Sequence, residues 1–197
     1  MTDYFALLNE RRRPWLDADA LKTKYHTRSA AVHPDRVHHA SDGDKLAAHQ
    51  LYTELNAAYQ CLRDPRQRLR HLLELELGTK PSDLTNVPDD LMNLFFSVGK
   101  TFRDVDALLA EKGRATSPLL QVQVFERGQE WVEKLNAARE QIAARRDGLL
   151  TELQTVDASW AAADSKPTDA LLRIWRLLGF YDRWLAQIHE RVVQLSF

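Results

Sequence analysis

Apolar residues recur along this chain at steps of three and four, the spacing that gathers them on one face of a helix. From Asp17 to Val32, the positions Ala18, Leu21, Tyr25, Ser29 and Val32 form one such stripe. Leu51, Leu55, Ala58, Tyr59 and Leu62 form another, inside a helix expected over 44–62. A short helix is expected over 3–10, and "RDPRQR" breaks the chain before a further short helix ending at Leu77. Asp17 suits an N-cap, because its carboxylate can accept from a free first-turn amide. Pro34 forbids continuation of the second helix, since it lacks an N–H and restricts His33 before it.

The stretch "LGTKPSDLTNVPDD", Leu77 to Asp90, is rich in turn formers and reads as a linker. Three longer stripes follow it. One uses Leu91, Phe95, Val98, Phe102, Val105 and Leu109. A second starts near Ser117-Pro118 and uses Val124, Trp131, Leu135, Ala138, Ile142, Leu149, Leu153 and Val156. The third starts near Pro167 and repeats Leu171, Ile174, Leu178, Tyr181, Leu185, Ile188, Val192 and Leu195. Narrow seams of this kind pack at shallow angles, so a three-helix bundle is expected. No Asn-Gly or Asp-Gly turn joins two alternating segments, and the fold class is all-α. The expected organisation is a helical domain over 1–77, a linker over 78–88 and a bundle over 89–197.

Charge adds an exclusion. With 27 basic and 28 acidic residues, the chain offers no net field for nucleic acid or an anionic membrane. Its one cysteine, Cys61, permits no internal disulfide and suits a reducing compartment. The first residues lack the pattern of a leader, no run is long enough to span a bilayer, and a cytoplasmic protein is expected.

The densest chemistry lies in "AAVHPDRVHH", residues 30–39. His33, Asp35, His38, His39, Asp42 and Asp44 cluster in sequence, and imidazole with carboxylate suits zinc or iron. A metal site needs convergent ligands on fixed elements, whereas "RVHHASDGD" has the composition of a loop. The adjacent pair His38-His39 also fits helical chelation poorly. No Ser-His-Asp order, Gly-rich phosphate loop or carboxylate pair supports catalysis elsewhere. The expectation is a non-enzyme with no catalytic residue, no cofactor and no metal.

Context sharpens the loop. "DYFALL" precedes it, "LDADALKTKY" opens the helix before it, and "LNAAYQCLRDPRQRLRHLL" closes the helix after it. Together these resemble the J-domain, and more narrowly the HscB-type co-chaperones of iron–sulfur cluster assembly. Asn56, Ala58, Tyr59, Leu62, Pro65, Arg68, Leu72 and Leu73 occupy that family's characteristic places. The resemblance implies a regulator that docks on an ATPase of the heat-shock protein 70 class and speeds its ATP hydrolysis. His33, Pro34 and Asp35 would carry the contact, with Lys22, Tyr25, His26 and Arg36 beside them. Pro34 would limit the entropy lost on docking, and Asp35 would offer a carboxylate to a partner arginine. Lys24 and Arg28 add positive charge that would steer encounter, although charged helix residues are commonly only a solvated face. Thr27, Ala30 and Ala31 depart from the more basic pattern of general J-domains.

A Gly/Phe-rich stretch and a CxxC zinc region, usual in general DnaJ-type chaperones, are both missing. In "DDLMNLFF", Leu91, Met92 and Phe95 resemble the family's contact with the iron–sulfur cluster scaffold protein, and Phe180 in "LLGFYDRWL" resembles an apolar contribution from the last helix. Met92 and Phe96 sit about a hundred degrees from the expected core face, so the client patch would be Leu91, Met92, Phe95, Phe96 and Phe180. Phe96, Gly99, Lys100 and Arg103 depart from the family's glutamates after the Leu-Met pair. An alternative reading is therefore a J-domain co-chaperone of another pathway, with its helical domain as an adapter.

Overall fold

The helices of the N-terminal half begin where a side-chain oxygen meets a free amide. Asp3 accepts from the N–H groups of Phe5 and Ala6 at 2.9 and 3.2 Å, opening α1 (Tyr4–Leu7). Asp17 accepts from Ala20 at 2.7 Å and opens α2 (Ala18–Ala31). Ser41 caps α3 (Asp42–Arg63) through the Asp44 amide, and Asp64 caps α4 (Pro65–Leu77) through Gln67. Pro65 takes the first helical position, where a missing N–H costs nothing. Gly78 ends α4 at φ +69°, a left-handed conformation that suits glycine, and donates to the Glu74 carbonyl. Three longer helices follow, α5 (Met92–Lys112), α6 (Pro118–Trp160) and α7 (Thr168–Ser196).

The computed structural model describes residues 2–33, 36, 39, 41–82, 88, 91–160 and 166–196. Among them every regular element is helical. The expected helices are present, with two differences in length: α1 is four residues rather than eight, and α6 runs on through "DASW" to Trp160. Asn9, at φ +54°, turns the chain out of the α1 direction.

The chain forms two compact units, one of residues 1–82 with 150–175, the other of residues 83–149 with 176–197. In the first unit the core holds Phe5, Leu8, Leu21, Leu55, Ala58, Leu62, Leu69, Leu72 and Leu73. Burying each leucine contributes about 1.5–3 kcal/mol. Several polar side chains are buried with them. Arg68 donates from Nε to the Pro14 carbonyl at 2.8 Å and from Nη1 to the Leu62 carbonyl at 2.7 Å, satisfying an orphan group at the end of α3. His71 accepts from the Tyr4 amide at 3.1 Å and stacks on Phe5. Asp157 accepts from the Arg13 guanidinium and from the Trp15 amide, while the Trp160 indole donates to the Arg12 carbonyl. Cys61, half-buried, points its thiol at the Gln67 carbonyl, and burial pushes its pKa up to about 11.

In the second unit Leu91, Val98 and Val105, spaced by seven, line α5 with Leu108. Val124, Leu135, Ile142 and Leu149 line α6, and Leu177, Leu178, Tyr181, Trp184, Ile188 and Leu195 line α7. Phe95, expected on the core face of α5, is instead 40 % exposed, and Leu108 rather than Leu109 is buried at the far end.

Candidate functional site: a charged helix face and an aromatic patch

Helices α2 and α3 hold the first set of residues. Tyr25 stacks on Tyr59 with ring centroids 4.4 Å apart, and its hydroxyl donates to the Asn56 side chain. This pair pins α2 to α3, and burial raises the Tyr25 pKa. Tyr25 therefore serves packing first. Its ring also supports His26, whose centroid lies 5.2 Å away. Lys22, His26 and Arg28 are exposed along α2. Lys24 is drawn aside: its Nζ sits 2.8 Å from Glu10 and donates to the Asn9 carbonyl. The free positive charge of this helix is thus carried by Lys22 and Arg28.

At the end of α2, His33 is half-buried and edge-on to Tyr52 at 5.6 Å. The Arg36 amide donates to the His33 carbonyl at 2.9 Å, and Arg36 is exposed. Pro34 and Asp35 lie outside the described residues, as does His38. Among the described residues no three His, Cys, Asp or Glu side chains gather as a metal site would require.

The second set lies in the other unit, on α5 and α7. Met92, Phe95 and Phe96 are 36, 40 and 61 % exposed. Phe95 and Phe96 meet edge to face at 6.0 Å, and Phe95 lies 6.4 Å from Trp184. Phe180, half-buried, meets the same tryptophan at 6.0 Å and carries the Arg183 guanidinium over its ring at 4.9 Å. Of the residues expected together as one patch, Phe95, Phe96 and Phe180 are joined through Trp184 as one aromatic surface. Leu91 does not share that surface. It is 1 % exposed and supports the first turn of α5 from inside. Trp184 and Arg183 went unnoticed in the sequence, although the step from Phe180 to Trp184 places both on one face of α7.

Comparison with known proteins fits this geometry. Residues 3–71 match the family model described as the DnaJ domain. A co-chaperone protein HscB homolog of Paraburkholderia phymatum is 32 % identical over 98 % of this chain and 95 % of its own length. That of Chromobacterium violaceum is 38 % identical over 54 % of this chain, a match that spans 63 % of the relative. Among solved structures, chaperone HscB from Vibrio cholerae superposes with a TM-score of 0.66 at 21 % identity, covering 98 % of this chain and 99 % of that one. Human co-chaperone HscB gives 0.56 at 20 % identity, covering 98 % and 81 %; these two likenesses speak for the fold. On the full-length relationship and the DnaJ domain together, the chain belongs to the HscB co-chaperone family.

Proposed function

We propose that this protein stimulates the ATPase of a heat-shock protein 70 class chaperone and brings it an iron–sulfur cluster scaffold protein, acting in the cytoplasm in cluster assembly and transfer. It is not itself an enzyme in this reading. Residues 1–77 act on the ATPase, residues 78–88 link, and residues 89–197 hold the client. The observation that carries the reading is the exposed basic edge of α2 ending at His33, on a domain matched as DnaJ.

The chemistry follows from what each side chain can offer. Lys22, His26 and Arg36 present donors that steer an acidic partner surface into register. His33, Pro34 and Asp35 then make the contact that triggers hydrolysis, His33 through its ring nitrogens and Asp35 through its carboxylate. Tyr25 contributes by fixing the tilt of α2 rather than by touching the partner. On the client side Met92, Phe95, Phe96 and Phe180 supply a desolvating patch, while Leu91 is buried and does not take part.

His33→Gln tests the reading. The variant should keep its melting temperature, because a half-exposed loop side chain has little packing to lose, and should lose ATPase stimulation at least about tenfold. Full stimulation by a folded variant would refute the loop's role. The replacement of the family's glutamates by Phe96, Gly99, Lys100 and Arg103 favours a second reading, in which the client is a protein of another pathway. Calorimetry against the cluster scaffold separates the two.

A further inference from the structure

The aromatic patch on α5 and α7 has a cationic border. Residues 92–103 include Lys100 and Arg103 and no acidic residue, in a chain whose net charge is −1. Both cations are exposed, and neither pairs with a carboxylate among the described residues. They follow Phe96 on its exposed side of the helix, about 6 and 10 Å further along. On α7 a third cation, Arg183, is exposed beside Phe180. We propose that the client docking here carries carboxylates around an apolar centre, and that Arg183 selects it, with Lys100 and Arg103 as flanking charges. This rests on the client reading and adds to it the chemistry of the client.

Arg183 is held in place by its own helix. Its Nε donates to the Gly179 carbonyl at 3.0 Å, and its guanidinium lies 4.9 Å from the centre of the Phe180 ring. These two contacts fix the plane of the fork, while its terminal nitrogens have no hydrogen-bond partner among the described residues. A guanidinium fixed in this way loses little freedom when it takes a carboxylate through two parallel bonds. It also stands against an apolar surface. A carboxylate docked there is partly stripped of water, so the attraction exceeds that of a fully solvated surface pair.

Neighbouring cations on the same bundle are already matched. Arg191 pairs with Asp106 at 2.9 Å and covers the Phe102 ring at 4.2 Å. Arg146 pairs with Asp182 at 2.7 Å. Those two carboxylates are thereby compensated within the chain, whereas Lys100, Arg103 and Arg183 are left for a partner. Asp104, exposed on α5, falls nine residues after Phe95 and so about half a circle around the helix from it. A basic client would meet like charge at three points of the rim. An acidic one is steered in and then oriented, with the apolar centre supplying affinity and the rim supplying choice.

Calorimetry of the full chain against the iron–sulfur cluster scaffold protein of its own organism tests the inference, at about 50 and about 500 mM salt. The variants are Arg183→Glu, Arg183→Lys, Lys100→Glu with Arg103→Glu, and Met92→Ala with Phe96→Ala. The expected result is that salt weakens the parent's binding about tenfold, and that Arg183→Glu weakens it at least as much at low salt. Arg183→Lys keeps the charge without the fork and should fall between parent and glutamate variant. The substituted charges are exposed, so thermal melting should match the parent. Should Arg183→Glu melt early, the Lys100/Arg103 variant gives the same readout from two side chains that pack against nothing. Binding that ignores salt overturns the inference, and so do glutamate variants that bind as well as the parent or better. If those variants bind normally while the Met92/Phe96 variant does not, the client reading stands and the acidic client falls. A parent that binds no scaffold, or a Met92/Phe96 variant that binds undiminished, removes both.

Discussion

Arg68 and Pro14 are 54 positions apart, yet the Arg68 Nε donates to the Pro14 carbonyl at 2.8 Å from a residue only 4 % exposed. Burial lowers its pKa to about 10, which still leaves it charged at neutral pH, with Asp64 and Asp157 favouring the cation. One side chain thereby closes the end of α3 and fixes the chain segment that enters α2. Arg68→Met should destabilise the first unit by about 2–3 kcal/mol, since two carbonyls lose their donors although no buried charge remains. Urea unfolding measures it. An unchanged midpoint would mean that water replaces both bonds.

His71 predicts a pH dependence. Burial lowers its pKa, and the acceptor role of Nε2 toward the Tyr4 amide requires the neutral ring. Asp3 and Glu74 favour protonation, while Arg12 and Arg70 oppose it. The unfolded chain takes up a proton near pH 6.5, before the folded one does. Stability is therefore full above that range and declines as pH falls through it toward the lower folded value. Thermal melting from pH 8 to 5 should show this decline, and it should be shallower in His71→Phe. Parallel curves for the two proteins would contradict it.

Asp157 should matter more than a surface carboxylate. It is 6 % exposed and accepts from the Trp15 amide at 3.1 Å as well as from Arg13, whose guanidinium it holds more firmly protonated. Asp157→Ala should cost about 2–3 kcal/mol by leaving the Trp15 N–H without its acceptor. Arg13→Ala, removing a half-exposed partner, should cost less. Denaturant midpoints of the two variants give the order, and the reverse order would show that the ion pair rather than the amide bond dominates.

If the proposed client patch is right, Met92→Ala with Phe96→Ala should weaken scaffold binding about tenfold or more while melting changes little. The exposures of 36 and 61 % support the second half of that statement. Trp184→Ala should behave differently, lowering both affinity and stability, because it is 6 % exposed beneath Phe95 and Phe180. Calorimetry with parallel melting distinguishes them, and unchanged affinity in the folded double variant would place the client elsewhere.

Helix positions were legible in the sequence because their signals are local: Asp17, Ser117 and Pro65 mark starts through groups within three residues. Phe95 was less so. It belongs to a stripe with Leu91, Val98 and Phe102 that is wider than the face α5 buries, and the three-dimensional neighbours decide which edge is left out. The buried polar groups were not legible at all. His71 finds Tyr4 at a separation of 67 residues, and Arg13 finds Asp157 at 144, so no short window of sequence contains both partners. A carboxylate in an apolar helix reads as a solvent marker until its partner is known. In the loop, His33 and Arg36 can be located, while the Pro34 and Asp35 expectations fall outside the described residues.

The thiol of Cys61 has a chemical consequence of its own. With a pKa of about 11, it is ionised to only about one part in ten thousand at neutral pH, and the thiolate is the form that captures metal and attacks disulfides. A protein proposed to handle a scaffold loaded with iron and sulfide thus keeps its one thiol almost wholly protonated.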